Sequence, residues 1–600
     1  MTIFDKFHKK ESSSNNNEHE LSAFSDIQPI GSTRYSNEEL KFRKGVPEDF
    51  AVNEISEGSI RDEDDGSSSG SSEIKSEEFE EHTTQRGLSS RHIQLIALGG
   101  GIGTGLFVGS GAALAKCGPA PLLISYLVIS IFVWFVMNEL GEMVTFIPSA
   151  GKSTMYALCE RYTGNKSLAF AAGLNLFYAQ ILLAPAEISA AAFVIKYWTD
   201  LNVAIWISIY WVSIVGLNFL AVKFFGEVEF WIASIKVLCI IGLIIVGIVI
   251  FFGGAPASNG VLGFHYWNNP GAFALHLDSH HVNTSRFLDV ITAIVKSAFA
   301  FILSPELITS CASEARDPRV TLPKATDRFI YRLITFYILG VIVIGCIVGY
   351  NDPRLMSAIS DGSSGAAASP FVIGIQNAGI KVLNHIVNAC ILTSAYSSGN
   401  SFFYSGSRTL YSMALNGDVP RIFTKCNRHG VPVYCVALSA AISLIAYLNV
   451  SDSSATVFTW LSNISTVSGF ISWIIVGFVY IRYRRAIDYH GLNDRVTYRP
   501  PLQIFGAYAQ SIFFTIIALV NGYEVFFDWN TANFFAAYIT LPIFFVLYFG
   551  HALWFRNFKL YAPPEQIDCF TGLEEIEKEH QEYIEPVAGN ILQKIWFFIV

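Results

Sequence analysis

Four ionisable side chains lie inside long apolar segments of this chain, where a charge is costly. A charged side chain at bilayer depth needs a partner or a function, and such residues commonly mark ligand, ion or proton sites. Two of the four are acids and two are bases: Glu187, Lys236, Lys296 and Glu306. Carboxyl and ammonium groups in these positions predict a site that binds a charged ligand or moves a proton.

Two of the apolar segments also contain sequences that break helices. Gly99 to Gly105 reads GGGIGTG, with five glycines in seven positions, and each glycine costs a helix interior about 0.5 to 1 kcal/mol relative to alanine. Ser304-Pro305 removes a backbone donor and disfavours helix at the residue before the proline. Close helix packing by small residues and an ordinary proline kink are the alternative interpretations. The occurrence of both breaks five segments apart favours a pair of interrupted helices at the membrane midplane.

An interrupted helix predicts the chemistry of its ligand. The amino end of a half-helix presents unpaired N–H groups that suit a carboxylate, while exposed carbonyl groups suit an ammonium group, and a zwitterionic amino acid needs both. The candidate contacts on the first break are the backbone of Ile102, Gly103, Thr104 and Gly105 and the Thr104 hydroxyl. On the second break they are the backbone groups from Phe301 to Ser304.

Phe299 and Phe301 are two residues apart, so they cannot both face one stripe of a helix. We expect one of the two rings to cover the site. Further candidates for its lining in a later segment are Trp460, Ser462, Asn463 and Ser465, although an aromatic residue in a span more often packs against other helices.

The composition places these features in a polytopic membrane protein. The 600 residues are 52% hydrophobic and 15% charged, with a mean hydropathy of +0.41, which excludes an ordinary soluble globular protein. Twelve segments are long and apolar enough to cross a bilayer. These predicted spans 1 to 12 are 92–114, 120–144, 168–195, 203–222, 230–252, 288–310, 329–350, 382–404, 431–447, 457–481, 505–526 and 534–555.

Basic residues predict the orientation of the chain. The loops that follow even-numbered spans hold seventeen lysines and arginines, whereas the loops that follow odd-numbered spans hold five. By the positive-inside rule the even-numbered loops and both termini face the cytoplasm.

The two ends of the chain differ in composition from the spans. Residues 1–90 are rich in serine and acidic residues and predict a disordered cytosolic tail, residues 91–556 form the transporter domain, and residues 557–600 form a cytosolic C-terminal tail. The lysines of the first tail would be accessible to modifying enzymes such as the ubiquitin machinery, although simple solvation explains the composition equally well. The sequence has no nucleophile elbow, phosphate loop or paired cysteine and histidine cluster, so we expect neither an enzyme nor a nucleic-acid-binding protein.

The spans also carry motifs of a known family. The chain resembles the fungal amino-acid permeases of the amino acid–polyamine–organocation superfamily, and within them most closely the proline permeases. The stretches that match the family are Ser90–Gly109, Leu140–Met143, Val222–Glu227, Glu229–Lys236, Gly263–Phe273, Glu314–Arg319 and Tyr350–Leu355. Those that match the proline permeases are Lys296–Leu307, Ser369–Val382, Asn388–Ala395, Ser462–Phe470 and Ile567–Glu577.

The resemblance implies an all-α membrane protein with twelve helices, built as a LeuT-like 5+5 inverted repeat followed by two C-terminal helices. It also implies proton-coupled uptake of proline at the plasma membrane without a metal or organic cofactor. Lys236 resembles the helix 5 lysine of proton-coupled relatives, and Glu187 resembles the helix 3 glutamate, a candidate for substrate binding or proton relay. Lys296 and Phe299 match helix 6 positions linked to substrate recognition and gating. Residues 184–192 of span 3 are less similar to the proline permeases than span 6 is, so a broader neutral amino-acid permease is an alternative. A transport-inactive amino-acid sensor that uses the same fold as a receptor is another.

Overall fold

The computed structural model describes residues 102–148, 154–199, 201–220, 222–257, 260–277, 281–312, 317–360, 369–450 and 454–582. The predicted N-terminal tail, the first three glycines of the GGGIGTG run and residues 583–600 lie outside these ranges. Helices are the dominant regular structure of the described chain, with one isolated β-bridge between Cys426 and Pro432. The all-α fold class is confirmed.

Helices occupy all twelve predicted spans, and we keep the span numbers for them. The part of span 1 that the structure describes is a π-helix and an α-helix, Gly105–Gly109 and Ser110–Cys117. Spans 2 to 6 are Pro119–Phe146, Lys166–Ile195, Val203–Asn218, Val222–Phe251 and the pair Val282–Ala298 and Ser304–Ala312. Span 7 is Pro318–Arg332, the π-helix Leu333–Ile338 and Leu339–Ile347, and span 8 is Leu383–Leu415. Spans 9 to 12 are Val433–Ser443 with Leu444–Val450, Ser454–His490, Gln503–Val520 with Tyr523–Phe526, and Thr531–Tyr538 with Thr540–Trp554.

Shorter helices occupy the connections between spans: Thr154–Thr163, His265–Asn268, Pro353–Ser360, Pro370–Asn377, Arg421–Thr424, Asn493–Arg495, Pro564–Gln566 and Leu573–Glu582.

Length and apolarity alone identify fewer than twelve membrane spans. Within the described ranges, seven helices meet both criteria, and an eighth is span 12, which bends by 47° between its two helices. Span 4 is only 16 residues long, and span 6 is divided into two pieces. The chain is therefore a multi-pass membrane protein, and the count of twelve stays a prediction.

The predicted break in span 6 is present. Its first half-helix ends at Ala298 and its second begins at Ser304. Between them the backbone forms tight turns in which each N–H bonds three residues back, from Ala300 N to Ser297 O (3.1 Å) and from Phe301 N to Ala298 O (3.0 Å). Leu303 has a positive φ of 53°, which is strained for a residue with a side chain. Pro305 follows in the first turn of the second half-helix, where its missing N–H costs no hydrogen bond.

Spans 1, 3, 6 and 8 meet around residues 102–105 of span 1 and the break of span 6. The break in span 1 stays a prediction, because residues 92–101 lie outside the described ranges. Span 3 packs along span 8 and span 10, so it lies at the centre of the bundle. This packing places Glu187 of span 3 beside the amino end of the described part of span 1.

Candidate functional site

The Glu187 carboxylate binds the amino end of the span 1 helix. Its oxygens accept hydrogen bonds from the Thr104 hydroxyl (2.9 Å) and from the Thr104 backbone N–H (3.4 Å to each oxygen). The Ser398 hydroxyl of span 8 donates to the same carboxylate at 3.2 Å. Glu187 is 2% exposed, so these donors replace the water that a carboxylate otherwise needs. The side chain thus occupies donors that the sequence predicts for a ligand carboxylate.

Span 8 contributes a row of serines that completes the polar contacts at the break. Ser394 donates to the Ile102 carbonyl oxygen at 2.7 Å, and Ser397 donates to the Glu229 carboxylate of span 5. Together with Ser398, these serines satisfy one freed carbonyl group and two buried carboxylates.

Span 1 approaches spans 3 and 6 closely because two of its glycines lack side chains. A Cβ atom on Gly103 would lie 2.3 Å from Glu187 Oε1, and one on Gly105 would lie 2.7 Å from the Ala300 Cα atom. Both distances are shorter than van der Waals contact allows. Gly105 therefore lets span 1 touch the break of span 6 directly.

A closed cavity of about 10 Å³ lies between the first described residues of span 1 and the break of span 6, which is room for roughly one water molecule. It is lined by Gly103, Gly105, Leu183, Glu187, Phe299, Ala300, Ile302, Ser398 and Phe402. The described structure is therefore closed around this site, and an amino acid would fit only after a wall moves.

Phe299 is the wall that the closed cavity shares with a larger one. A cavity of about 530 Å³, which we call the vestibule, is lined by Phe299, Phe458, Ser462 and Asn463 among others. Phe299 and Phe458 pack edge to face with ring centroids 5.5 Å apart. Phe301 points elsewhere, because its ring packs against Tyr126 and Tyr337 at 5.3 and 4.5 Å. Of the two phenylalanines, Phe299 is the one positioned to cover the site.

The vestibule holds a polar cluster around Glu524, on the face formed by the loops after odd-numbered spans. Glu524 lies 2.8 Å from the Lys116 ammonium and 4.0 Å from the Lys296 ammonium. His276 lies 3.3 Å from Glu524 through Nε2 and 2.5 Å from Asp289 through Nδ1. Lys296 thus lines the vestibule and is not among the residues that line the closed cavity.

Two further ionisable groups lie deeper in the bundle. Lys236 is fully buried in span 5 and interacts electrostatically with both Glu229 and Glu187. Glu306 is 1% exposed in the second half-helix of span 6.

The predicted site residues therefore separate into four places, one of which is the buried position of Lys236 in span 5. The closed cavity and its immediate surroundings include Ile102, Gly103, Thr104, Gly105, Glu187 and Phe299. Lys296 lies in the vestibule. Phe301 and Ser304 lie behind the break, on the side away from the cavity.

Sequence reasoning missed some contributors to the site. These are Glu229 and the three serines of span 8, and a serine-rich stretch within a membrane-length helix was the available signal.

Comparisons with known proteins fit this geometry. The sequence profile of the amino acid permease family matches residues 92–562, most of the chain. The chain belongs to the amino acid permease family. It is similar to the proline-specific permease of Emericella nidulans, with 49% identity over 87% of this chain and 94% of the relative. A probable proline-specific permease of Schizosaccharomyces pombe is 51% identical over 83% of this chain and 90% of the relative.

Solved structures support the fold alone. A manganese transporter of Eremococcus coleocola matches with a TM-score of 0.52 at 12% identity, covering 81% of this chain and 94% of the transporter. The likeness agrees with the LeuT-like fold that the resemblance to the fungal permeases implies. As a member of a permease family, the chain is a transporter and not an enzyme.

Proposed function

We propose that this permease imports proline together with a proton across the plasma membrane by alternating access. The substrate rests on the similarity to relatives that are named as proline-specific permeases. The coupling rests on one observation in the structure, which is that Glu187 occupies the N–H and hydroxyl donors of Thr104.

The Thr104 donors explain how a proton and an amino acid would bind together. The α-carboxylate of the substrate needs the donors that the ionised Glu187 holds, and two carboxylates in one buried site repel each other. Protonation of Glu187 removes its charge and releases Thr104 for the substrate. Loss of the proton on the other side of the membrane lets Glu187 bind Thr104 again and expels the substrate carboxylate.

Buried charges of span 5 support this exchange. Lys236 interacts with both Glu187 and Glu229, so its ammonium group partly compensates whichever carboxylate is ionised. We infer that Lys236 keeps the site near neutrality through the cycle, because an uncompensated buried charge costs several kcal/mol.

The orientation follows from the excess of lysine and arginine in the loops after even-numbered spans. We propose that both termini are cytoplasmic and that the vestibule opens to the outside of the cell. The lysines of the N-terminal tail, Lys6, Lys9, Lys10, Lys41, Lys44 and Lys75, are candidate targets of the ubiquitin machinery.

The decisive experiment measures uptake of labelled proline in a permease-deleted strain, with and without a collapsed proton gradient. Uptake that exceeds background, accumulates against a gradient and falls when the proton gradient is collapsed supports the proposal. Background uptake would instead support the sensor, and strong inhibition of proline uptake by alanine, serine and leucine would support a broader permease. Uptake that is insensitive to pH and to the proton gradient would overturn the coupling.

Glu187→Gln tests the exchange itself. Glutamine imitates the protonated acid, so we expect proline exchange to persist while accumulation and pH dependence are lost. Glu139→Gln is the matched control, because Glu139 is another buried carboxylate that contacts Gln510 at 3.2 Å, away from the site. Equal effects of the two variants would contradict a specific role for Glu187.

Lys296→Ala separates the vestibule from the closed cavity. Because Lys296 lines the vestibule, we expect a higher KM for proline with pH dependence retained. Loss of pH dependence in this variant would place the lysine in the coupling step instead.

A further inference from the structure

A buried arginine and a buried tyrosine of span 7 contact the break of span 6 from the side opposite the cavity. The Arg332 guanidinium donates from Nη2 to the Ser304 hydroxyl oxygen (3.2 Å) and to the Tyr337 hydroxyl oxygen (3.0 Å). The Tyr337 hydroxyl in turn donates to the Ala300 carbonyl oxygen at 2.9 Å. Both side chains are 1% exposed. The two residues therefore bond to both ends of the interrupted segment.

The local shape of span 7 makes this pair of contacts feasible. Arg332 and Tyr337 are five residues apart, which on an α-helix would place them about 140° apart around the axis. The π-helix Leu333–Ile338 starts directly after Arg332 and contains Tyr337. In a π-helix, residues five apart are bonded to each other and share a side. Single π-helical turns often occur at functional sites. Here the π-helix brings the guanidinium and the phenol together on the face that meets span 6.

Ala300 is the residue through which these contacts reach the site. Its carbonyl accepts from Tyr337, the residue itself lines the closed cavity, and its Cα atom would lie only 2.7 Å from a Cβ on Gly105. A shift of Ala300 would therefore move the wall of the cavity and the contact between the two breaks at once.

We propose that Arg332 and Tyr337 are positioning residues that hold the break of span 6 in the shape needed to bind the backbone of the transported amino acid. Neither side chain lines the cavity, so they act on the substrate through Ala300 and Ser304. This inference rests on the proposed function in one respect only, which is that one of its tests measures the uptake of an amino acid. Since the α-amino and α-carboxyl groups are common to all amino acids, the effect should be equal for every substrate.

The sharpest test exploits two tyrosines around one phenylalanine. Tyr126 and Tyr337 are both buried against the ring of Phe301, but the hydroxyl of Tyr126 makes no hydrogen bond within the described residues. Tyr337→Phe removes the hydrogen bond to Ala300 and the acceptor for Arg332, and keeps the ring. We expect the KM for proline uptake to rise about tenfold in Tyr337→Phe, with the maximal rate per surface molecule within about twofold of wild type. The matched control, Tyr126→Phe, should leave both parameters unchanged.

A competition panel distinguishes positioning from substrate selection. In Tyr337→Phe the ranking of amino acids as inhibitors should match the wild-type ranking. A changed ranking, an unchanged KM, or an equal effect of Tyr126→Phe would overturn the proposal.

Arginine variants test the second contact. Arg332→Lys keeps the charge and one donor, so it should recover part of the affinity that Arg332→Met loses. If both arginine variants fail to reach the membrane, the Tyr337→Phe result decides alone.

A second readout does not require transport. With Ile302→Cys as a reporter in the cavity wall, a membrane-impermeant maleimide should react several-fold faster in Tyr337→Phe than in Tyr126→Phe, because the released break admits the reagent. Equal labelling rates in the two tyrosine variants would overturn the inference. If the labelling rates differ as expected but the wild type takes up no proline, only the proposed function is overturned.

Discussion

Two ion pairs of this permease, one on each face, are buried to different degrees. On the face with the odd-numbered loops, Lys116 and Glu524 are 2.8 Å apart and their side chains are 37% and 27% exposed. On the opposite face, Arg484 and Glu142 are 2.9 Å apart and their side chains are only 9% and 0% exposed. The first pair borders the vestibule of about 530 Å³. In the second pair, the Glu142 carboxylate also accepts hydrogen bonds from Tyr480 and Gln503. The same kind of contact thus borders an open cavity on one face and fills the interior on the other.

The face with the even-numbered loops is also covered by the end of the chain. Residues 557–582, which we call the C-terminal segment, cross this face. Ala562 N bonds Thr163 O at 2.7 Å, and Arg161 donates to Thr571 O at 3.1 Å. Three apolar side chains of the segment are buried: Ile567, Cys569 and Leu573. In the described structure the closed cavity is therefore nearest to solvent on the vestibule side, where Phe299 separates the two cavities.

The largest effect should follow from breaking the buried pair. Arg484→Ala leaves the Glu142 carboxylate buried without its charge partner, and loss of one partner of a buried pair costs about 3 to 5 kcal/mol. We expect a loss of that order in the free energy of unfolding of the purified protein, measured by denaturant titration in detergent, together with loss of uptake.

The neighbouring residue provides the control for this variant. Arg485 is exposed and contacts only the Tyr508 hydroxyl, at 3.5 Å, among the hydrogen bonds of the described chain. Arg485→Ala should be close to neutral. If both arginine variants destabilise the protein equally, burial is not what distinguishes the two faces.

A second prediction concerns access from the vestibule. With Ser398→Cys as a reporter in the closed cavity, Phe299→Ala should raise the rate of reaction with a membrane-impermeant maleimide about tenfold, because the shared wall is removed. Phe301→Ala is the control, since Phe301 packs against Tyr126 and Tyr337 instead of the cavity. Faster labelling in the Phe301 variant alone would show that the cavity is reached by another route.

Much of this arrangement could be predicted from the sequence, for identifiable reasons. Hydropathy gives the positions of the spans, because every backbone polar group in a bilayer must be satisfied within a helix. The break in span 6 is readable because Pro305 removes a donor, and Glu187 is conspicuous because a carboxylate in an apolar segment is rare.

The partners of these residues were not predictable. Serine is common in membrane helices, so Ser394 and Ser398 carry no individual signal, and their roles depend on how span 8 packs against span 3. The rotation of each half-helix after a break decides which side chains face the cavity, which is why Lys296 and Phe301 lie elsewhere. The contacts of the C-terminal segment depend on a surface assembled from four distant loops and helices.

The third prediction is a smaller effect at that segment. Arg495 forms two hydrogen bonds to Glu577, and Arg319 lies 3.8 Å from the same carboxylate. Glu577→Ala should partly release the segment and raise the rate at which maleimide labels the buried Cys569, measured on its peptide by mass spectrometry. Glu575→Ala is the control, because Glu575 lies on the same helix and forms none of the ion pairs found among the described residues. Equal labelling of the two variants would contradict a role for the contact with Arg495.

The pH dependence of this contact has a defined sign. Hydrogen bonding to Arg495 lowers the pKa of the Glu577 carboxyl below its ordinary value of 4.5. A lowered pKa means that the contact stabilises the folded state above the ordinary pKa and is lost as pH falls through the lowered one. In the wild type, labelling of Cys569, corrected for the reactivity of a free thiol, should therefore stay constant as pH falls from about 8 to about 5. A rise in corrected labelling within this range would show that another group controls the segment.

The smallest effect is expected at the vestibule pair, which completes the comparison of the two faces. Glu524→Gln removes the charge that faces Lys116 and Lys296, but these side chains are partly hydrated, so the change in unfolding free energy should be about 1 kcal/mol or less. Added salt should reduce the difference from wild type further, because exposed pairs are screened, whereas the loss in Arg484→Ala should change little. Denaturant titrations of both variants at low and high salt measure the change in unfolding free energy and its dependence on salt. A cost for Glu524→Gln that equals the cost for Arg484→Ala, or equal salt dependence of the two, would mean that the vestibule contacts are as structural as those that fill the opposite face.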